Sequence, residues 1–100
     1  MFNNLEIDSE ISMLSFDTTE GKAYIEWRYD YNGYLELQHP RLEISDIKLT
    51  SDIDQLLYFA AVDAGWYVPS DYNNLGMIIE KFYRELEDEI YQREREFCRD

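Results

Sequence analysis

The stretch KAYIEWRYDYNGYLELQ, from Lys22 to Gln38, decides the first half of the fold. Up to Tyr31 it alternates with a period of two, which places Ala23, Ile25, Trp27 and Tyr29 on one face of a strand. Tyr24, Glu26, Arg28 and Asp30 fall on the other face. Asn32-Gly33 then reads as a two-residue type I′ hairpin turn, because both residues tolerate φ > 0. Tyr34 to Gln38 returns as the next strand, with Leu35 and Leu37 toward the core and Tyr34 and Glu36 outward. Two antiparallel strands of this kind need further strands, or a helix, against their apolar face.

Upstream, Glu10 to Asp17 reads as a strand, joined to the hairpin by the turn residues Thr18 to Gly21. Met1 to Asp8 is either a frayed lead-in or part of that first strand. Downstream, His39-Pro40 is expected to break the sheet, since proline donates no ladder hydrogen bond. Arg41 to Leu49 reads two ways. Leu42 and Ile44 alternate like a fourth strand, while Ile47 and Leu49 also suit packing beneath a helix.

Two helices complete the chain. Ser51-x-x-Asp54 resembles a capping box, Ile53 to Ala64 supplies an apolar face, and Gly65 is placed to stop the helix in a left-handed cap. Trp66 to Pro69 is an apolar connector. Ser70 is the expected cap of a long final helix to Asp100, although Gly76 favours a start one turn later. Leu75, Ile79, Phe82, Leu86 and Ile90 form its apolar stripe. Beyond Gln92 the stripe is interrupted by Arg93, so that end is expected to be exposed or to contact another molecule. Strands grouped ahead of helices define an α+β fold: an antiparallel meander of three or four strands packed on two C-terminal helices, in one domain spanning residues 1–100.

The charge is lopsided. Twenty-two acids face nine lysines and arginines, a formal charge of −13. Residues 80–100 hold eight acids and five bases, and helical spacing pairs Glu80 with Arg84, Lys81 with Glu85, Arg84 with Asp88 and Glu89 with Arg93. Residues 1–79 hold fourteen acids against four bases, so the uncompensated charge belongs to the sheet, turns and first helix. Such a field repels nucleic acid and anionic membranes and attracts basic surfaces.

Catalytic signals are weak. His39 and Cys98 are single residues outside any motif, too few His and Cys are present for a zinc site, and Asp52-x-Asp54 lacks the remaining ligands of a calcium loop. No phosphate-binding glycine loop occurs, and nothing calls for a cofactor. A lone cysteine, no signal-peptide pattern and no membrane-length apolar run point to the cytoplasm, or to the host cytoplasm for a phage-derived protein.

The outer sheet face is the candidate partner-binding site: Tyr24, Glu26, Asp30, Tyr31, Tyr34 and Glu36. Carboxylates two apart on a strand are about 6.7 Å apart, and each DNA strand presents a phosphate every 3.4 Å or so. A ladder of acids can therefore stand in coarsely for phosphates, with tyrosines as flat anchors. In size, acidity, tyrosine content and α+β outline, the chain resembles the small acidic phage-type inhibitors, the nucleic-acid mimics that include anti-restriction and anti-CRISPR proteins. That resemblance implies a stoichiometric, non-enzymatic inhibitor occupying the basic groove of a nucleic-acid-binding protein, without cofactor and without binding nucleic acid or membrane itself. Two other readings use the same residues. One is an immunity or antitoxin-like protein that neutralises a basic toxin or nuclease; the other is a small adaptor subunit, a homodimer included.

Overall fold

A computed structural model describes residues 2–65 and 75–97. Ser70 and the Trp66–Pro69 connector lie outside the described residues, as does Cys98. The chain is an α+β fold in which five antiparallel strands, in the order β1-β2-β3-β4-β5, pack against two helices. The strands are β1 (Asn3–Asp8), β2 (Met13–Asp17), β3 (Lys22–Tyr29), β4 (Leu35–Ile44) and β5 (Ile47–Thr50); the helices are α1 (Ile53–Asp63) and α2 (Leu75–Phe97). Every strand pairs with its sequence neighbour, so all connections are hairpins.

Apolar alternation builds the core. Leu14, Phe16, Ala23, Ile25, Trp27, Leu35 and Leu42 from the sheet meet Leu56, Leu57, Ala60 and Ala61 of α1 and Phe82, Leu86 and Ile90 of α2. The last three are fully buried, as their spacing requires, and Ile79 packs partly buried beside them. Phe2 closes the end of this core, with ring centroids 4.8 Å from Phe16 and 5.4 Å from Phe82.

The meander differs from the expected one in its turns. The lead-in is a strand in its own right, β1, whose Leu5 and Ile7 pack on the core while Glu6 and Asp8 face solvent. Glu10 to Ser12 belong to the turn after it rather than to β2, and Ile11 is exposed. His39-Pro40 does not break the sheet. Between Glu26↔Gln38 and Tyr24↔Arg41 the two residues oppose Ile25 alone, a β-bulge in which His39 takes φ 51°. Proline is tolerated there, and its carbonyl still accepts from Ser51 N at 2.9 Å. Leu42 and Ile44 consequently extend β4, and Ile47 begins β5.

The hairpin after β3 also differs. Its loop has three residues, Tyr31 to Gly33, closed by Asp30 N to Tyr34 O and Gly33 N to Asp30 O, each 2.9 Å. Gly33 alone takes positive φ, at 85°, while Asn32 does not. This is a type I turn with a following glycine bulge, and the Asp30 carboxylate selects it by accepting from Asn32 N and Tyr34 N, both at 2.9 Å. The type I′ geometry occurs one hairpin later: Ser45 (φ 52°) and Asp46 (φ 66°) link Ile44 to its partner Ile47.

At α1 the N-cap is Asp52, not Ser51: its carboxylate accepts from Asp54 N at 3.0 Å, and Ser51 Oγ instead meets Gln55 Oε1 at 3.3 Å. Gly65 follows the helix with φ 75° and donates to Val62 O at 3.0 Å, the expected left-handed stop.

Candidate interaction surface

Register places Glu6, Ser15, Tyr24, Arg41 and Thr50 in one row across the outer face of the sheet. A second row runs Asp17, Lys22, Glu43, Lys48. Arg28 lies opposite Glu36. Lys22, Arg28, Arg41 and Lys48 are the four bases of residues 1–79, and all four belong to this one face. The sequence alone left the outer face acidic. Strand pairing instead gathers the cations there.

The six candidate residues fare differently in that setting. Glu26 accepts from Arg41 Nη2 at 3.2 Å, and Glu36 from Arg28 Nε at 2.9 Å. The Arg41 guanidinium also approaches Met13 Sδ at 3.8 Å, and its buried Nε finds no acceptor. Tyr24 lies beneath two ammonium groups, Lys48 at 4.4 Å and Lys22 at 5.9 Å from the ring centroid. The Asp30 carboxylate is occupied by its own turn. Glu26 and Glu36 therefore form no free ladder of negative charge; each is half-neutralised by an arginine across the strand pair. Tyr31 and Tyr34, at the hairpin tip, are 97% and 70% exposed and remain available to a partner.

Besides Glu6 and Asp8 of β1, uncompensated acids lie in turns and on helices. Asp52 and Asp54 open α1, and α2 presents Tyr83, Glu87 and Tyr91 in one line at steps of four. This line borders the apolar stripe and turns toward the hairpin end of the sheet: Tyr91 lies 6.4 Å from Tyr29, centroid to centroid, and Glu94, three residues on, accepts from Trp27 Nε1 at 2.8 Å. Tyr29, assigned to the core face, sits at its rim and is 41% exposed, as is Tyr91 at 40%.

Carboxylates from three elements act on the Tyr83 hydroxyl. Burial raises its pKa first; Glu87 adds to the rise, then the Tyr91 hydroxyl, Asp54 of α1 and Glu36 of β4. The Glu87 carboxyl is raised as well, again by burial first; Arg84 opposes the rise and Asp88 adds to it. Of the expected helix pairs, Glu80–Arg84 forms at 2.8 Å, and that hydrogen bond raises the arginine's already high pKa. Asp54, Tyr83, Glu87 and Tyr91 were not singled out as a group from the sequence. The four-residue spacing on α2 was legible; the electrostatic influence of Asp54 and Glu36 on Tyr83 depends on tertiary packing.

Among the described residues no group of three His, Cys, Asp or Glu side chains is arranged to hold a metal ion, and no helix is long and apolar enough to cross a membrane. No protein-family model matches the chain, and neither curated proteins nor solved structures give a significant match.

Proposed function

We propose that this chain is a small acidic binding protein, a stoichiometric inhibitor that occupies the cationic groove of a basic nucleic-acid-binding protein. One observation carries the reading: strand register gathers Lys22, Arg28, Arg41 and Lys48 on the outer sheet face, so in a chain of formal charge −13 acids such as Asp54 of α1 and Glu87 of α2 stand outside that compensated surface. Carboxylates held by rigid elements present fixed negative charge, and the neighbouring exposed rings of Tyr29, Tyr34 and Tyr91 offer flat contact area at low entropic cost. The active surface is then the hairpin end and the α2 flank, with Tyr31 and Tyr34 retained from the sequence-based site. Glu26 and Tyr24 are engaged by the sheet's own cations.

Inhibition by this route needs no bond-making step. The bound protein excludes nucleic acid from the groove by occupancy and by repulsion. Capture of partners on the immobilised chain, with elution by salt and competition by duplex DNA, tests the reading. Partners should be basic, should elute as salt rises and should be displaced by DNA. Capture indifferent to both salt and DNA would refute it.

A further inference from the structure

The sheet has two edges, and they are protected unequally. At β1 the register shifts between Asn3 and Glu6, Asn4 takes φ 54°, Asn3 Nδ2 donates to Asp63 Oδ2, and Asn4 Nδ2 donates to Asp17 Oδ2 at 2.6 Å. α2 flanks that edge, with Glu85, Asp88 and Glu89 across a cleft from Phe2, Leu5 and Ile7. Such bulges and coverings are how native sheets prevent further pairing.

Among the described residues β5 pairs only with β4, and all four of its residues are exposed. Ile44 and Ile47 flank the two-residue turn and so exchange hydrogen bonds; the alternation continues to Leu49 with Leu42 and to Ser51 with Pro40. The backbone N–H and C=O groups of Lys48 and Thr50 consequently point away from the sheet. On the core side of this ribbon Ile44, Ile47 and Leu49 are 42%, 61% and 50% exposed. An edge lysine ordinarily discourages pairing, but Lys48 is drawn over the Tyr24 ring on the opposite face. Acids bracket the strand: Asp46 in the turn before it, Asp52 and Asp54 just after it.

We propose that β5 is a docking strand that takes up an extended segment of the basic partner as a sixth strand of the sheet. The segment it fits is apolar on the face that meets Ile47 and Leu49 and carries lysine or arginine at both ends, opposite Asp46 and the Asp52–Asp54 pair. Main-chain pairing to Lys48 and Thr50 sets register, the apolar face supplies burial, and the terminal charges select the partner. This proposal rests on the binding reading above and names the element that engages the partner's chain.

The test uses a synthetic peptide of alternating valine and threonine with lysines at both ends, beside two controls: the same peptide N-methylated on alternate residues, and one ending in glutamates. Binding is followed by NMR hydrogen exchange of the Lys48 and Thr50 amides. The lysine-ended peptide should slow exchange at both amides, and the two controls should not. Thr50→Pro, which removes an outward N–H at a position where an edge strand tolerates proline, should abolish binding. Equal binding of the methylated peptide would overturn the docking strand while leaving the charge reading intact; equal binding of the glutamate-ended peptide would overturn the charge reading. No protection by any peptide, or protection that rises with the protein's own concentration alone, would also overturn the proposal, the latter assigning the edge to a second copy.

Discussion

Trp27 donates its indole N–H to Glu94 Oε1 at 2.8 Å, joining the last part of β3 to a residue near the end of α2, sixty-seven positions later. Trp27 is only 3% exposed, so this carboxylate satisfies a donor that water scarcely reaches. Glu94→Ala should cost about 1–3 kcal/mol by stranding that donor, whereas Glu94→Gln keeps an acceptor and should cost less. Urea unfolding of the two variants checks the order.

Phe82 has no exposed surface and meets Phe2 edge-on. Phe82→Ala should destabilise the fold by about 3–5 kcal/mol. A negligible change in the urea midpoint would mean that the α2 stripe does not face the sheet.

Gly21 sits at φ 153°, and a Cβ built there would overlap the Glu43 carbonyl oxygen of β4. The obstruction is backbone, which cannot swing aside. Gly21→Ala should therefore cost about 1–3 kcal/mol, from that overlap added to the strain of a positive φ, while Gly33→Ala, with open space around its Cβ, should lose only the preference for positive φ. Thermal melts of both should show the larger loss at Gly21, where the overlap adds to the conformational cost.

Burial holds the Glu87 carboxyl above its usual pKa, so the folded chain binds a proton there more tightly than the unfolded chain does. Stability from this group is consequently greatest in acid and declines as pH rises from the unfolded value through the folded one. Glu87→Gln should stabilise the protein at neutral pH, by no more than about 0.5 kcal/mol for a half-exposed site. That gain should vanish when both states are protonated. Melting temperatures across an acid-to-neutral series measure it.

The helices and the central strand were legible because their signals are local. Phe82, Leu86 and Ile90 repeat at the helical period, and Ala23, Ile25 and Trp27 alternate cleanly. The turns were less so. Asn32-Gly33 suits a type I′ turn by propensity, yet the Asp30 side chain stabilises a different loop, and Ser45-Asp46 adopts type I′ without a glycine. His39-Pro40 looked like a terminator because the bulge that accommodates it exists only once β3 lies alongside. The candidate site failed to read through for a related reason. Alternation assigns Glu26 and Glu36 correctly to the outer face, but Arg28 of β3 meets Glu36 across the strand pair and Arg41 reaches Glu26 from beyond the bulge, so only register reveals that each carboxylate meets a guanidinium.

The most direct measurement compares two double variants in partner capture at low salt. Asp54→Asn with Glu87→Gln removes charge from acids on the helices; Glu26→Gln with Glu36→Gln removes the same formal charge from the sheet face, where arginines already offset it. The first pair should weaken capture severalfold, and the second should leave it nearly unchanged. Equal losses, or loss confined to the sheet-face pair, would contradict the placement of the working charge on the helices rather than on the sheet face.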